Sequence, residues 1–215
     1  MTGENIITAV ESSKRGRRAI FVDGQCVLDL PKAFVDQTGL RVGQSLLPDQ
    51  QDEIRQAAAL QEARTAAVRA LGRRALTRAD LRRRLSSRGL PETAVEQTLN
   101  WLADRKYLDD EQYAQQRWQA LAQRKLGAQG IAWKLAQEGV PKDVIQKLQA
   151  QQTEELNETE LARELAERRE ATMQKMPWPQ RRGRLYAFLA RRGFGSDAIA
   201  EALEGLEAAR DSEDE

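Results

Sequence analysis

One pattern recurs three times in this chain and leaves few folds open to it: apolar-x3-Leu-x3-Gly-apolar. It reads Leu81, Leu85, Gly89, Leu90; then Ile131, Leu135, Gly139, Val140; then Leu185, Leu189, Gly193, Phe194. The offsets between copies are 50 and 54 residues and hold across the whole pattern. Residues four apart lie on one helix face. A glycine four residues later suits the position just past a helix end, where the left-handed conformation closes the last turn. Pro91 and Pro141 follow the first two copies, and Gly195 stands there in the third. Proline starts a helix without loss, because the first N–H groups have no partner in any case. The pairs Ala94-Val95, Val144-Ile145 and Ala198-Ile199 then open a further helix in each copy. Upstream, Val68 and Leu71 match Trp118 and Leu121 in a preceding helix, while Leu161 and Leu165 supply it less regularly in the third copy. Met176-Pro177-Trp178-Pro179 interrupts that last copy and accounts for its longer offset.

These observations predict a mainly α chain of three tandem three-helix modules. Modules that bury one another's faces form an elongated array. The expected boundaries are 57–108, 109–153 and 157–207, with a small β unit over 1–50 and an acidic tail over 208–215. In the β unit, Ile6–Val10, Ala19–Val22 and Cys26–Leu30 read as strands. Asp23-Gly24 between two of them is a hairpin signal, since a type I′ turn needs positive φ at both central positions. Pro31, Gly39, Gly43 and Pro48 are expected to break up residues 31–50, with helix from about residue 55. Cys26, the only cysteine, is expected as a small core residue.

The same residues narrow the chemistry. The chain has no histidine, so it lacks the commonest general base and metal ligand. One cysteine makes neither an intrachain disulfide nor a thiolate metal cluster. No glycine-rich phosphate loop is present; Gly193-Phe194-Gly195 is a helix end. Asp109 and Asp110 resemble paired acids but read better as a helix cap, with Gln112 completing a capping box. Thr77 and Asp80 cap the Leu81 helix in the same way. The expectation is a non-enzyme without cofactor or metal. No apolar run approaches the ~20 residues of a membrane span, and the N-terminus has no signal-peptide pattern. A cytoplasmic, monomeric protein with no membrane partner is expected.

A net charge of +1 hides an uneven distribution. Residues 61–108 hold 11 basic and 5 acidic side chains, whereas residues 151–215 hold 10 and 15. The last residues, Asp211-Ser212-Glu213-Asp214-Glu215, read as a solvated tail. Lys14-Arg15-Gly16-Arg17-Arg18 reads as a basic hairpin turn or as a phosphate-contacting loop. The binding candidates are Arg73, Arg74, Arg78, Arg82, Arg83, Arg84 and Arg88 in the first module, and Arg181, Arg182, Arg184, Arg191 and Arg192 in the third. Guanidinium groups bind phosphate and carboxylate bidentately, which favours such targets; a solvated face with internal ion pairs is the plainer reading. With Leu81 and Leu85 inward, Arg82 and Arg83 point outward, while Arg78, Arg84 and Arg88 border the core. Arg88, Glu138 and Arg192 occupy matching positions. Trp133 matches Arg83 and is expected as a partly buried residue between modules, or else as a contact residue.

The pattern Trp101-Leu102-x3-Lys106-Tyr107-Leu108-Asp109-Asp110-x2-Tyr113-Ala114, followed by Gly127-x3-Ile131-x3-Leu135-x3-Gly139-Val140, resembles the RecX family of regulators of the RecA recombinase. The resemblance covers residues 60–207. The N-terminal β unit looks like the extension that some members carry. Ala79-Asp80-Leu81 departs from the family, where Ser and Glu are more usual, as do Gly195 and the added Trp-Pro stretch. The resemblance implies a regulator that binds the RecA nucleoprotein filament, lies in its groove, and inhibits ATP hydrolysis, growth and strand exchange. It also implies weak binding of single- and double-stranded DNA. Two other readings stay open: a recombinase-independent DNA-binding helical repeat, and a protein scaffold in which the arginines are incidental.

Overall fold

The computed structural model describes residues 4–14, 16–153 and 157–211. It divides into two compact units: residues up to Leu76 with Asp80–Leu108, and Thr77–Ala79 with the chain from Asp109 onward. Arg15 and the acidic residues after Asp211 lie outside the described residues.

The first unit begins with an antiparallel sheet in the order β1 (Ile7–Ser12), β2 (Arg17–Val22), β3 (Gln25–Pro31). Asp23 and Gly24 take φ of 47° and 82°, as a primed hairpin turn requires. Ile7, Ile20, Leu28 and Leu30 are buried together with Phe34, Val35, Leu46 and Ala58. Cys26 is exposed, against the expectation of a core residue. The register shifts between Ile20↔Leu28 and Phe21↔Cys26, so one extra residue on β3 breaks the alternation that would have carried Cys26 inward.

Residues 31–50 are also more ordered than expected. Pro31 precedes a short helix, α1 (Lys32–Thr38), which Gly39 closes at φ 68°. Pro48 opens the long helix α2 (Pro48–Leu71), several residues before the expected start. One helix therefore serves two cores. Ala58 and Ile54 pack under the sheet, while Ala66, Ala67, Ala70 and Leu71 pack with α3 (Arg78–Ser86) and α4 (Glu92–Asp104). Arg17 ties the two parts together, with Nε 2.9 Å from Asp29 and Nη1 3.0 Å from Glu62. The guanidinium groups of Arg64 and Arg105 both lie over the ring of Trp101 in α4, 5.0 and 4.8 Å from its centre.

The second unit contains α5 (Asp110–Ala122), α6 (Ala128–Gln137) and α7 (Lys142–Thr153), then α8 (Glu158–Glu170), α9 (Trp178–Arg191) and α10 (Ser196–Asp211). The repeat glycines Gly89, Gly139 and Gly193 have φ of 76°, 83° and 78°, the helix-closing role their spacing predicts. Asp109 caps α5 by accepting from the Gln112 N–H at 3.0 Å. Asp110 reaches the other way and accepts from the Arg78 N–H at 2.8 Å, at the start of α3. Burial raises the Asp110 carboxyl above its usual range.

Val68 does not match Trp118: it is 52% exposed, whereas Trp118 is buried. The equivalent residue is Ala67, because one more residue separates it from Leu81 than separates Trp118 from Ile131. The first helix of each module thus buries a pair four apart: Ala63 and Ala67, Ala114 and Trp118, Ala162 and Ala166. Alanine at these points lets helices approach closely.

Gly127, Gly130 and Gly193 make a backbone seam inside the second unit. The Gly127 N–H donates to the Arg192 carbonyl and the Gly130 N–H to the Gly193 carbonyl, both at 3.1 Å. A Cβ on Gly193 would stand 2.1 Å from Gly130 Cα.

Candidate functional site

The C-terminal half of α2 and helix α3 flank a groove of about 460 Å³. Its floor is Ala66, Ala70, Leu81 and Leu85, and its walls carry Arg69, Arg73, Arg74, Arg84 and Arg88. Arg73 and Arg74 stand in the turn after α2. Arg69 projects from the last turn of α2, where side chains three and four apart share a face. Arg88 follows α3 just before the closing Gly89. Leu81 and Leu85 fix the rotation of α3 by burial, and that rotation turns Arg84 and Arg88 to the groove.

The candidate arginines divide by what holds them. Asp80 accepts from Arg74 at 2.9 Å, Arg83 at 2.5 Å and Arg84 at 3.1 Å. Burial disfavours charge on Asp80, but the hydrogen bonds from Arg83 and Arg84 outweigh it and hold the carboxyl below its usual range. Arg82 pairs with Glu96 at 2.6 Å. Arg78 lies at the head of α3, where Asp110 receives its backbone N–H. Arg73 and Arg88 are exposed and have no side-chain partner among the described residues. Arg69 shares that condition, although it is not among the arginines that the sequence singles out. A signal for it does exist: it lies four residues before Arg73, in the basic run that ends α2 and enters the following turn.

In the third module the roles differ. The Arg181 side chain is only 11% exposed and pairs with Glu170 at 2.7 Å. Arg192 donates to the carbonyls of Lys125 at 3.1 Å and Arg124 at 3.4 Å, and its guanidinium lies over Phe188. Arg182, Arg184 and Arg191 are exposed, with no side-chain partner among the described residues. Arg182 stands beside Trp178 and Tyr186 on α9. Trp133 is 60% exposed, so it is not the partly buried residue expected between modules. Glu138, which matches Arg88 and Arg192, is held by Arg117 at 2.6 Å and by the Tyr113 hydroxyl at 2.9 Å. The hydrogen bond to Glu138 raises the Arg117 guanidinium above its usual value.

Among the described residues, no group of three or more acidic or cysteine side chains is placed to hold a metal ion. No helix among them is long and apolar enough to cross a membrane. The groove offers guanidinium groups over a floor of alanine and leucine, and guanidinium forks match the geometry of carboxylate and phosphate oxygens.

Comparison with known proteins agrees with this architecture. Family models for the first, second and third three-helix domains of RecX match residues 63–102, 109–148 and 157–203. Together they cover more than half of the chain. The regulatory protein RecX of Trichlorobacter lovleyi is 33% identical over 141 residues, covering 65% of this chain and 92% of the relative. The chain belongs to the RecX family. The regulatory protein RecX of Clostridium botulinum (strain Alaska E43) is 27% identical over 204 residues, with 92% and 94% of the two chains covered, so the likeness to this family member includes the N-terminal β unit. A crystal structure of a regulatory protein RecX superposes with a TM-score of 0.66 at 25% identity, over 93% of this chain and 98% of the other. The fold is shared with RecX from Lactobacillus salivarius, at a TM-score of 0.65 and 20% identity over 71% of this chain.

Proposed function

We propose that this protein regulates the RecA recombinase by binding its nucleoprotein filament, where it inhibits ATP hydrolysis, filament growth and strand exchange without chemistry of its own. Membership in a family of regulatory proteins supports this reading. The observation that carries it is the first-module groove, in which Arg69, Arg73 and Arg88 have no side-chain partner among the described residues and stand beside Arg74 and Arg84. A filament presents DNA phosphates and protein carboxylates, and guanidinium forks match both. Three modules over 57–108, 109–153 and 157–207, acting as a monomer, can engage successive protomers, so that weak contacts add through effective concentration. The arginines of the third module that stay exposed, Arg182, Arg184 and Arg191, form a second set for the same filament.

The test is the ATPase rate of a RecA filament on single-stranded DNA as this protein is titrated in, beside binding to bare DNA at several salt concentrations. Inhibition well below one copy per recombinase protomer, at salt where bare DNA is released, is the expected result. DNA binding that vanishes with rising salt, without inhibition, overturns it in favour of a recombinase-independent DNA-binding repeat.

A further inference from the structure

The N-terminal β unit borders a second cavity, of about 500 Å³, between the end of β3, the start of α1 and the middle of α2. This cavity and the first-module groove share Ala66, Arg69 and Arg88. The two therefore adjoin, and together they run as a trough along α2. Along α2 it follows a single stripe: Ala58, Gln61, Thr65, Ala66, Arg69 and Ala70 recur at the spacing of one helix face. From Ala58 to Ala70 that stripe runs about 18 Å at 1.5 Å per residue.

We propose that this trough holds the sugar–phosphate backbone of a single DNA strand, and that the β unit forms one of its walls rather than merely covering the end of the array. The proposal rests on reading the groove as the surface that faces the filament. Lys32 is the contribution of the β side: it is exposed and has no side-chain partner among the described residues. Arg69 and Arg88 stand in the middle, and Arg73 at the far end. The acid on this path, Glu62, is paired with Arg17, which also holds Asp29.

Three features favour a nucleic-acid strand over an acidic peptide. Cations line both cavities, with Lys32 in one, Arg73 in the other and Arg69 and Arg88 in both, which suits a chain of repeated charges. The lining is alanine-rich, and its aromatic, Phe34, is buried rather than presented as an anchor of the kind that dominates protein interfaces. The exposed aromatics Tyr107, Trp133 and Tyr186 do not line it. Binding here would engage phosphates without reading bases. A concave trough admits one strand in single file, whereas the convex surface of a duplex meets only its rim. The length suits about four nucleotides, the low end of single-strand site sizes.

The experiment measures anisotropy of a labelled oligothymidine with the full-length protein and its Lys32→Glu, Arg69→Glu and Arg73→Glu variants across a salt series. An unlabelled duplex serves as competitor, and helicity and Tm are followed in parallel. Each variant should bind several-fold more weakly at unchanged Tm. The slope of log affinity against log salt should flatten by about 0.7 for each phosphate that is no longer neutralised. Lys32→Glu binding like the parent while Arg73→Glu is weakened would remove the β unit from the trough and leave the filament reading untouched. Unchanged oligothymidine binding in all three, with ATPase inhibition abolished, would make the occupant an acidic recombinase segment. A duplex that competes as well as single strand, phosphate for phosphate, would also overturn the proposal. Weakened binding in all three, in a protein that never inhibits the ATPase, would sustain the trough and sink the filament reading instead.

Discussion

The first and third modules use the same template in opposite ways. Leu81, Leu85, Arg88 and Gly89 have counterparts in Leu185, Leu189, Arg192 and Gly193, and both glycines adopt positive φ. A Cβ on Gly89 would meet nothing within 4 Å, while one on Gly193 would strike the Gly130 backbone. Arg88 stands open to solvent, while Arg192 is spent on the carbonyls of Arg124 and Lys125. In the second module the matching position is Glu138, clamped by Arg117 and Tyr113. The repeat specifies a helix end. What that end then does depends on whether another backbone covers it.

The sharpest way to break this comparison is to put alanine at both glycines. Gly193→Ala should destabilise by roughly 2–5 kcal/mol, the left-handed strain plus overpacking against backbone that cannot yield. Gly89→Ala should lose only the strain, about 1–2 kcal/mol. Equal losses in urea unfolding would show that the seam contributes nothing. Leu85→Ala and Leu135→Ala should each lose roughly 2–5 kcal/mol, because both residues are fully buried; a loss well below that in either would mean its core relaxes around the cavity.

Smaller effects separate the arginines. Arg192→Ala should lower stability by about 1 kcal/mol, through two carbonyls left with fewer donors, and leave filament inhibition largely intact. Arg88→Ala should stay within about 0.5 kcal/mol of the parent while inhibition weakens. The reverse assignment, seen by comparing Tm with ATPase inhibition, would exchange the roles of the two modules. The smallest effect concerns Asp80, whose carboxyl is held below its usual range. A lowered folded pKa contributes stability above the unfolded value of about 3.9, and that contribution is lost as pH falls through the folded value. Asp80→Asn should therefore be less stable than the parent at neutral pH, with the gap closing as acid protonates the parent. A gap that persists in strong acid would place the loss elsewhere than in the charge.

Much of this was readable from local signals. The repeat glycines, the Asp23-Gly24 hairpin and the Asp109 cap each depend on a few neighbouring residues, and each stands where its chemistry requires. The departures share a cause, which is packing between residues distant in sequence. Val68 and Ala67 differ by one position, and only the longer connection to α3 decides which faces inward. Gly130 carries no local sign that a second backbone lies against it. Arg181 and Arg182 are neighbours of the same type, yet only Arg181 finds Glu170. Arginine composition pointed to an anion, but which arginines remain available depended on Asp80, Glu96 and Glu170.

The long α2 helix has one further consequence. Because its first half is roofed by the sheet and its second by α3 and α4, neither can melt without leaving half a helix bare. Strands and first module should accordingly lose their amide-exchange protection together. A fragment beginning at residue 57 would start mid-helix, shorn of the Pro48 turn and with alanines facing water. The extension is, in the language of cooperativity, part of the same folding event as the domain it precedes.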